Sequence, residues 1–405
     1  MNVLENSDVV TAETLMHFRN ELELYPKCDK QWEDKFAKEG AKVGDTIAIR
    51  QPVNFDIREG EQFSPQALID RTINFTVDQR IGVDFTYSTA EKTLNLDRVS
   101  ERYLQPAARR LANEVDLRIA RAMSHFGTLS FGTPGTAPTS VSSFQSAMTR
   151  MADLGVPKGK RHIVVTPAVM QAIVTDLRGL IEPGGTIAKQ NLNGAMYNAF
   201  GGLWDQSQNL DTHITGAVTG SGLVKGANQS GASILTDDWT ASTVGILKKG
   251  DKINFTTSYA VNPITGATLG WLRTFTVTAD VDSDSNGDAT VPIDPPIVLT
   301  GPYKNVSNAP ANDTDIQLYA HASTYASKTS PTNLVFHPAA CACAVIGLAM
   351  PDGGAKGRYM ADEDAGISMR FVQQYDINTD KNKCRFDVLL GIKVQLPDFI
   401  CVVPA

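Results

Sequence analysis

The chain reads as an α+β fold, and three observations predict it. A helical pattern nearly thirty residues long runs through 93–126. Apolar and polar residues alternate in short runs between 46 and 87 and again between 244 and 293. The stretches 143–179 and 333–405 mix helix-like and strand-like periods.

The elements follow in chain order. Residues 11–25 place Leu15, Phe18 and Leu22 on one face of a short amphipathic helix, followed by a polar stretch to residue 44. That helix has little core of its own to join, which makes it a candidate for lining the inside of an assembly. From residue 46 the period becomes two, with Ile47 and Ile49, then Ile73, Phe75 and Val77, then Ile81, Val83, Phe85 and Tyr87. Between these strands REGEQFSPQAL has no periodicity and several charges, so 46–87 is expected to be a protruding two-stranded loop. An isolated hairpin is marginal in water, and the expected support is a neighbouring subunit. Arg50, Arg58, Glu59, Glu61, Asp70 and Arg71 lie in or beside its irregular part and are candidate intersubunit contacts.

The long helical pattern carries Leu96, Val99, Tyr103, Leu104, Ala107, Leu111, Val115, Ile119 and Met123 on one stripe. Asn95 is its expected cap and Gly127 its end, giving about 45 Å at roughly 1.5 Å per residue. Pro106 is expected to remove one bond and bend the axis. A coiled coil is the poorer alternative, because Ala and Arg stand where a zipper needs Leu. Next come a helix at 143–154, the turn GVPKGK, the strand HIVVTP and a helix at 168–179. A glycine-, serine- and threonine-rich stretch leads to VGILKKGDKINF, WLRTFTVTADV and ATVPI, which predict an all-β module from about 220 to 322. NLVFHPAACACAVIGLAM is expected to be a strand that turns at His337 and Pro338 into a helix of small residues. GISMRFVQQYDI and CRFDVLLGIKVQL are strands. A β-module between two α/β pieces is an insertion.

Composition excludes several function classes. With 405 residues, 42% of them hydrophobic, the chain can bury a sizeable core in two to four domains. No apolar run approaches the roughly 20 residues that span a membrane, and MNVLENSDVV lacks the pattern of a secretory signal, so the expectation is a cytoplasmic product without a membrane partner. Cys28, Cys341, Cys343, Cys384 and Cys401 form an odd, scattered set, more like reduced thiols than a disulfide framework. With 44 acidic against 37 basic residues and a net charge of −7, contact with DNA is expected to be loose and local.

No chemical motif is complete. GVPKGK lacks the spacing and the hydroxyl of a phosphate loop. The run from Asp282 matches a calcium loop at Asp282, Asp284, Asn286 and Gly287, but its twelfth position is Ile293 instead of Glu, which favours a hairpin turn. On the expected helix, Cys341 and Cys343 would point about 200° apart and could not share a metal with His337. The six histidines have no neighbour at a spacing that specifies nucleophilic catalysis, and no pair of carboxylates is placed across a cleft. Catalytic, cofactor-binding and metal residues are therefore all expected to be none.

Two stretches carry a family resemblance. QPAARRLANEVDLRIARAM, residues 105–123, looks like the spine helix of the major capsid proteins of tailed bacteriophages, the Hong Kong 97 fold. LKKGDKINF, residues 247–255, resembles the opening of a strand in the inserted domain found in the coat proteins of the Salmonella short-tailed phages, the most similar subgroup. The resemblance implies a Hong Kong 97-type capsid fold with a long spine helix, an extended β-hairpin loop, peripheral and axial domains and an inserted small β-barrel-like domain. Its implied divisions are an amino-terminal arm at 1–45, the extended loop at 46–90, the spine helix at 91–127 and a peripheral domain at 128–185. A first axial part follows at 186–218, the inserted β domain at 219–322, and the axial and peripheral remainder at 323–405. The implied function is a coat protein, not an enzyme, that assembles in the bacterial host cytoplasm into the icosahedral head of a virion around double-stranded DNA. Implied partners are its own copies in hexamers and pentamers, a scaffolding protein, a portal protein and a head decoration protein. Packaged DNA would be touched only loosely. The sequence carries no sign of a Lys–Asn cross-link, so its joints are expected to be non-covalent. The alternatives are an encapsulin-like compartment shell and a cytoplasmic enzyme.

Overall fold

The computed structural model describes residues 7–31, 44–55, 57, 60–61, 65, 71–88, 103–177, 196, 198–319, 325–351 and 356–405. They belong to two compact units built from interleaved stretches of chain. The first comprises residues 1–51, 72–119 and 341–395, and the second comprises 52–71, 120–340 and 396–405.

In the first unit the period-two pattern forms its strands where expected. Asp45–Arg50 pairs antiparallel with Thr72–Ser88, Ile47 opposite Phe75. Alternation puts Phe75, Val77, Ile81 and Tyr87 inward. The hairpin is not isolated, which corrects the expectation that only a neighbouring subunit would support it. Its stretch from Val77 to Ser88 pairs antiparallel with the strand Lys381–Val394, inside a six-stranded sheet that also holds Cys341–Ile346, Ile367–Asp376 and Lys356–Asp362.

Cys341–Ile346 is a strand and not the small-residue helix expected. It pairs antiparallel with Lys381–Val394, Cys341 opposite Val394, and is buried throughout. Small and apolar side chains on both faces, Cys341, Cys343 and Val345 on one and Ala342, Ala344 and Ile346 on the other, suit a central strand closed on each side, and burial overrides the helix propensity of alanine. Ala342, Ala344 and Ile346 join Ile49, Phe75, Val77 and Leu389 in one apolar cluster.

The amino-terminal helix, Ser7–Glu21, packs on Lys356–Asp362 and Ile367–Asp376. Its last turn is tied down by Arg19 to Asp362 at 2.9 Å and by Glu21 to Arg109 at 2.9 Å. The long helix is α-helical over Gln105–Phe126, about 33 Å at roughly 1.5 Å per residue. Asn95, Leu96 and Val99 lie outside the described residues. Pro106 is the second residue of this span and follows π-helical Tyr103 and Leu104; the part of the pattern before Tyr103, on which the expected bend depends, lies outside the described residues. Leu104, Ala108, Leu111, Val115, Ile119 and Met123 form the buried stripe. Residues to Ile119 belong to the first unit and residues from Ala120 to the second.

Among the described residues the second unit holds two sheets. One has seven strands, ordered Leu129–Ser130, Ile400–Pro404, Thr329–Phe336, His162–Val165, Gly202–Gln206 and Asn198–Ala199, with Thr212–Ile214 beside Thr329–Phe336. The helices Val141–Asp153 and Pro167–Asp176 contribute Phe144, Met151, Val169 and Ile173 to its core. The other is antiparallel, in the order Ile316–Leu318, Lys252–Val261, Thr268–Val277, Ala289–Ile297, Gly231–Trp239 and Gly220–Val224. A bridge between Leu223 and Asp315 and a 3.0 Å bond from Val224 N to Thr314 O join its two ends, so the sheet curls into a closed barrel. Phe255, Phe275, Ile234, Val291 and Trp239 fill it. Its strands at 220–224, 231–239 and 316–318 were not legible in the sequence, being short or rich in Gly, Ser and Asp.

Candidate functional site

Leu15, Phe18 and Leu22 do not face outward. All three are buried within the chain, so the expected free apolar face is corrected: the arm has a seat on its own sheet. Its far end is fixed by one residue of the long helix. Asp116, fully buried, accepts the backbone N–H of Glu23 at 2.7 Å and those of Leu24 and Tyr25 at 3.2 Å. Burial pushes the Asp116 carboxyl up to about 7, against the opposing pull of these three N–H groups. Its signal in the sequence was a lone carboxylate between Ala112 and Ala120 on an apolar helix face.

The charged loop candidates divide. Arg50 and Glu61 are exposed, whereas Arg58, Glu59 and Asp70 lie outside the described residues. The Arg71 guanidinium lies 5.0 Å from the centre of the Tyr303 ring. Asn54 donates from its backbone to the Tyr303 hydroxyl and from Nδ2 to the Pro302 carbonyl, both at 3.3 Å. The two roots of the loop therefore rest on the chain's own 302–303 turn, which corrects the expectation of wholly free protrusion. Between them Phe55 is 65% and Ile57 89% exposed. Two large apolar side chains displayed among charges suit burial against a second surface.

A polar knot joins the last turn of the long helix to the barrel, and sequence reading missed it. Asp251, fully buried, accepts from Lys248 N at 2.8 Å and Gly216 N at 3.0 Å and shares a 2.8 Å bond with His213 Nε2. Next to it, Lys252 Nζ donates to the Ser124 carbonyl at 2.9 Å and to Thr276 Oγ1 at 3.1 Å. Thr276 Oγ1 in turn donates to the Gly127 carbonyl at 2.8 Å. Burial drops the Lys252 ammonium to about 7. Asp211 meets Arg121 at 3.1 Å and His125 at 3.4 Å, and these two hold its carboxyl below the usual range although burial works the other way. The knot satisfies carbonyls that the helix end would otherwise leave orphaned. Gly127 is required there, since a Cβ would stand 2.7 Å from Ile400 Cγ2.

The run from Asp282 is a turn whose carboxylates are taken up by backbone N–H groups. Asp282 Oδ1 accepts from Gly245 N at 2.6 Å, and Asp284 Oδ1 accepts from Asn286 N at 2.7 Å and Asp288 N at 2.9 Å. The GVPKGK turn lies in an open cavity of about 470 Å³ with Asn198 and Leu203. There the Arg161 guanidinium is spent on the carbonyls of Met148, Val156 and Pro157.

Comparison with known proteins matches residues 1–403 to the family described as P22 coat protein, gene protein 5. The chain is also similar to the major capsid protein of Acyrthosiphon pisum secondary endosymbiont phage 1, at 23% identity, covering 98% of this chain and 96% of that one. Among solved structures, one from Mycobacterium phage Che8 matches with a TM-score of 0.47 at 15% identity, over 93% of this chain and 89% of that one. The capsid of Ralstonia phage GP4 matches with a TM-score of 0.45 at 7% identity, over 94% and 87%. The CUS-3 coat protein I-domain matches 25% of this chain and 96% of its own length at 23% identity, with a TM-score of 0.18.

Proposed function

We propose a division of labour for a chain that belongs to the P22 coat protein family and, as its major capsid protein, assembles within the host cell into the icosahedral shell of a tailed-phage virion. It is a structural protein and not an enzyme. In our reading the loop between Arg50 and Arg71 is the element that grips a neighbouring subunit, in hexamers and pentamers alike. The observation that carries this reading is the exposure of Phe55 and Ile57 on a loop whose two roots are anchored. Apolar burial supplies the affinity, at about 25 cal/mol per Å², and Arg50, Arg58, Glu59, Glu61 and Asp70 select the register. An exposed ion pair contributes only about 0 to 1 kcal/mol, so the charges act by repetition over many copies.

In the same reading the subdivision follows the spine helix, arm, extended loop, peripheral and axial parts and inserted β domain. A scaffolding protein directs assembly, a portal occupies one vertex, and packaged DNA is touched loosely. The net charge of −7 supports the last point, because a strongly basic lining would hold the genome it must release. The test is co-expression of the full chain with a scaffolding protein, read by sedimentation and negative-stain microscopy. Ile57→Asp and Arg58→Glu should each leave a folded, soluble subunit and cut particle yield severalfold. Full yield of normal particles from both variants would remove the loop from the assembly contacts.

A further inference from the structure

Cys341 and Cys343 stand two apart on a strand, so their side chains share one face of the sheet, opposite to Ala342 and Ala344. Their sulfurs are 3.7 Å apart. Cys28 Sγ completes the group, and the three sulfurs, all buried within the first unit, lie within 4.8 Å of one another. We infer that Cys28, Cys341 and Cys343 form a three-thiolate site for a soft, thiophilic d10 metal ion of the zinc(II) or copper(I) kind.

The spacing fits a shared ion. With a metal–sulfur bond of about 2.3 Å, two thiolates on one tetrahedral centre stand about 3.8 Å apart. The site is also preorganised from two directions. The strand fixes Cys341 and Cys343, while the arm delivers Cys28 through a short parallel bridge: Asp29 N donates to Cys341 O and Cys343 N donates to Asp29 O, each at 3.0 Å. Asp116 holds the turn just before it, and Cys28 N closes that turn on Tyr25 O at 3.1 Å. An all-sulfur, water-poor donor set selects soft ions and rejects magnesium and calcium, which need several oxygens. Among the described residues no fourth Cys, His, Asp or Glu joins the group. Each thiol that binds releases its proton to solvent, and no oxidant or reductant takes part.

The bound ion would lock the arm to the central strand of the first unit. The test uses the full chain, reduced and stripped with a chelator, then loaded anaerobically with zinc(II) alone or copper(I) alone and passed through gel filtration. Elemental analysis should find about one ion per chain for at least one of the two metals. X-ray absorption should show a sulfur-only shell, and the loaded chain should melt higher than the stripped one. Cys28→Ser, which lies outside the sheet, should lose the ion, while Cys384→Ser, also a buried cysteine of this unit, should keep it. The inference is overturned if wild-type chain retains neither ion, if the shell is nitrogen or oxygen, or if folded Cys28→Ser retains as much metal as wild type. Mass spectrometry finding a disulfide among the three cysteines in freshly isolated protein overturns it as well.

Discussion

Two buried ionisable residues set opposite pH dependences. The Asp116 carboxyl is raised by burial from 3.8 to about 7, so the folded state holds its proton more tightly than the unfolded chain. Its contribution is complete below about 4 and is lost as pH rises to about 7. Lys252 is lowered by burial from 10.5 to about 7, so the fold favours its neutral form and gains stability as pH rises through that window. Asp116→Asn should flatten the acid side of a urea-midpoint profile, and Lys252→Met should flatten the alkaline side. Asp116→Ala should cost at least about 3 kcal/mol in the same measurement, because three backbone N–H groups lose their acceptor at roughly 1–3 kcal/mol each. Asp116 showed in the sequence only as a lone carboxylate on an apolar helix face, and Lys252 not at all, since a lysine in KKGDK resembles ordinary surface charge. Burial comes from segments 90 or more residues away, Glu23 for Asp116 and Ser124 for Lys252.

At the scale of elements, the arm illustrates how a correct pattern supported a wrong inference. The stripe of Leu15, Phe18 and Leu22 correctly announced a helix, yet its seat, Lys356–Asp362 and Ile367–Asp376, follows more than 300 residues later. Phe18 is fully buried and Met16 is 52% exposed. Phe18→Ala should therefore destabilise the subunit by about 3–5 kcal/mol, with Met16→Ala near neutral, by chemical denaturation. Aspartate at Leu15 and Phe18 should yield misfolded subunits instead of folded ones that fail to assemble. In the barrel, Gly222 has φ +58 and lies under Trp239, whose ring a Cβ would meet at 2.4 Å. Gly222→Ala should strain the Gly220–Val224 strand and lower the melting temperature by several degrees. The Cys341–Ile346 strand was misread for a related reason. Six small and apolar residues fit either period, and only the pairing with Lys381–Val394 decides between them.

On the scale of the whole molecule, each unit has its own apolar core assembled from distant stretches, so damage should stay local. Phe255→Ala, at the centre of the barrel, should open the amides of Lys252–Val261 and Thr268–Val277 to hydrogen exchange. Protection in Thr72–Ser88 and Lys381–Val394 should remain. Protection lost equally in both sets would show that the units unfold as one.

The sequence by itself determined the α+β class, the helical stripe from Leu104 to Met123, the alternating strands of 46–87 and 366–396, the all-β character of 220–322 and the likeness to tailed-phage coat proteins. These rest on local period and on short similar stretches, which need no knowledge of what lies across the fold. Tertiary structure alone decided that the arm has a seat, that the loop's roots rest on Pro302 and Tyr303, that the barrel closes at Leu223 and Asp315, and that three scattered cysteines meet. Each of those depends on which distant segments pair, and pairing is fixed by the burial and hydrogen bonding of the whole chain, which no local pattern encodes.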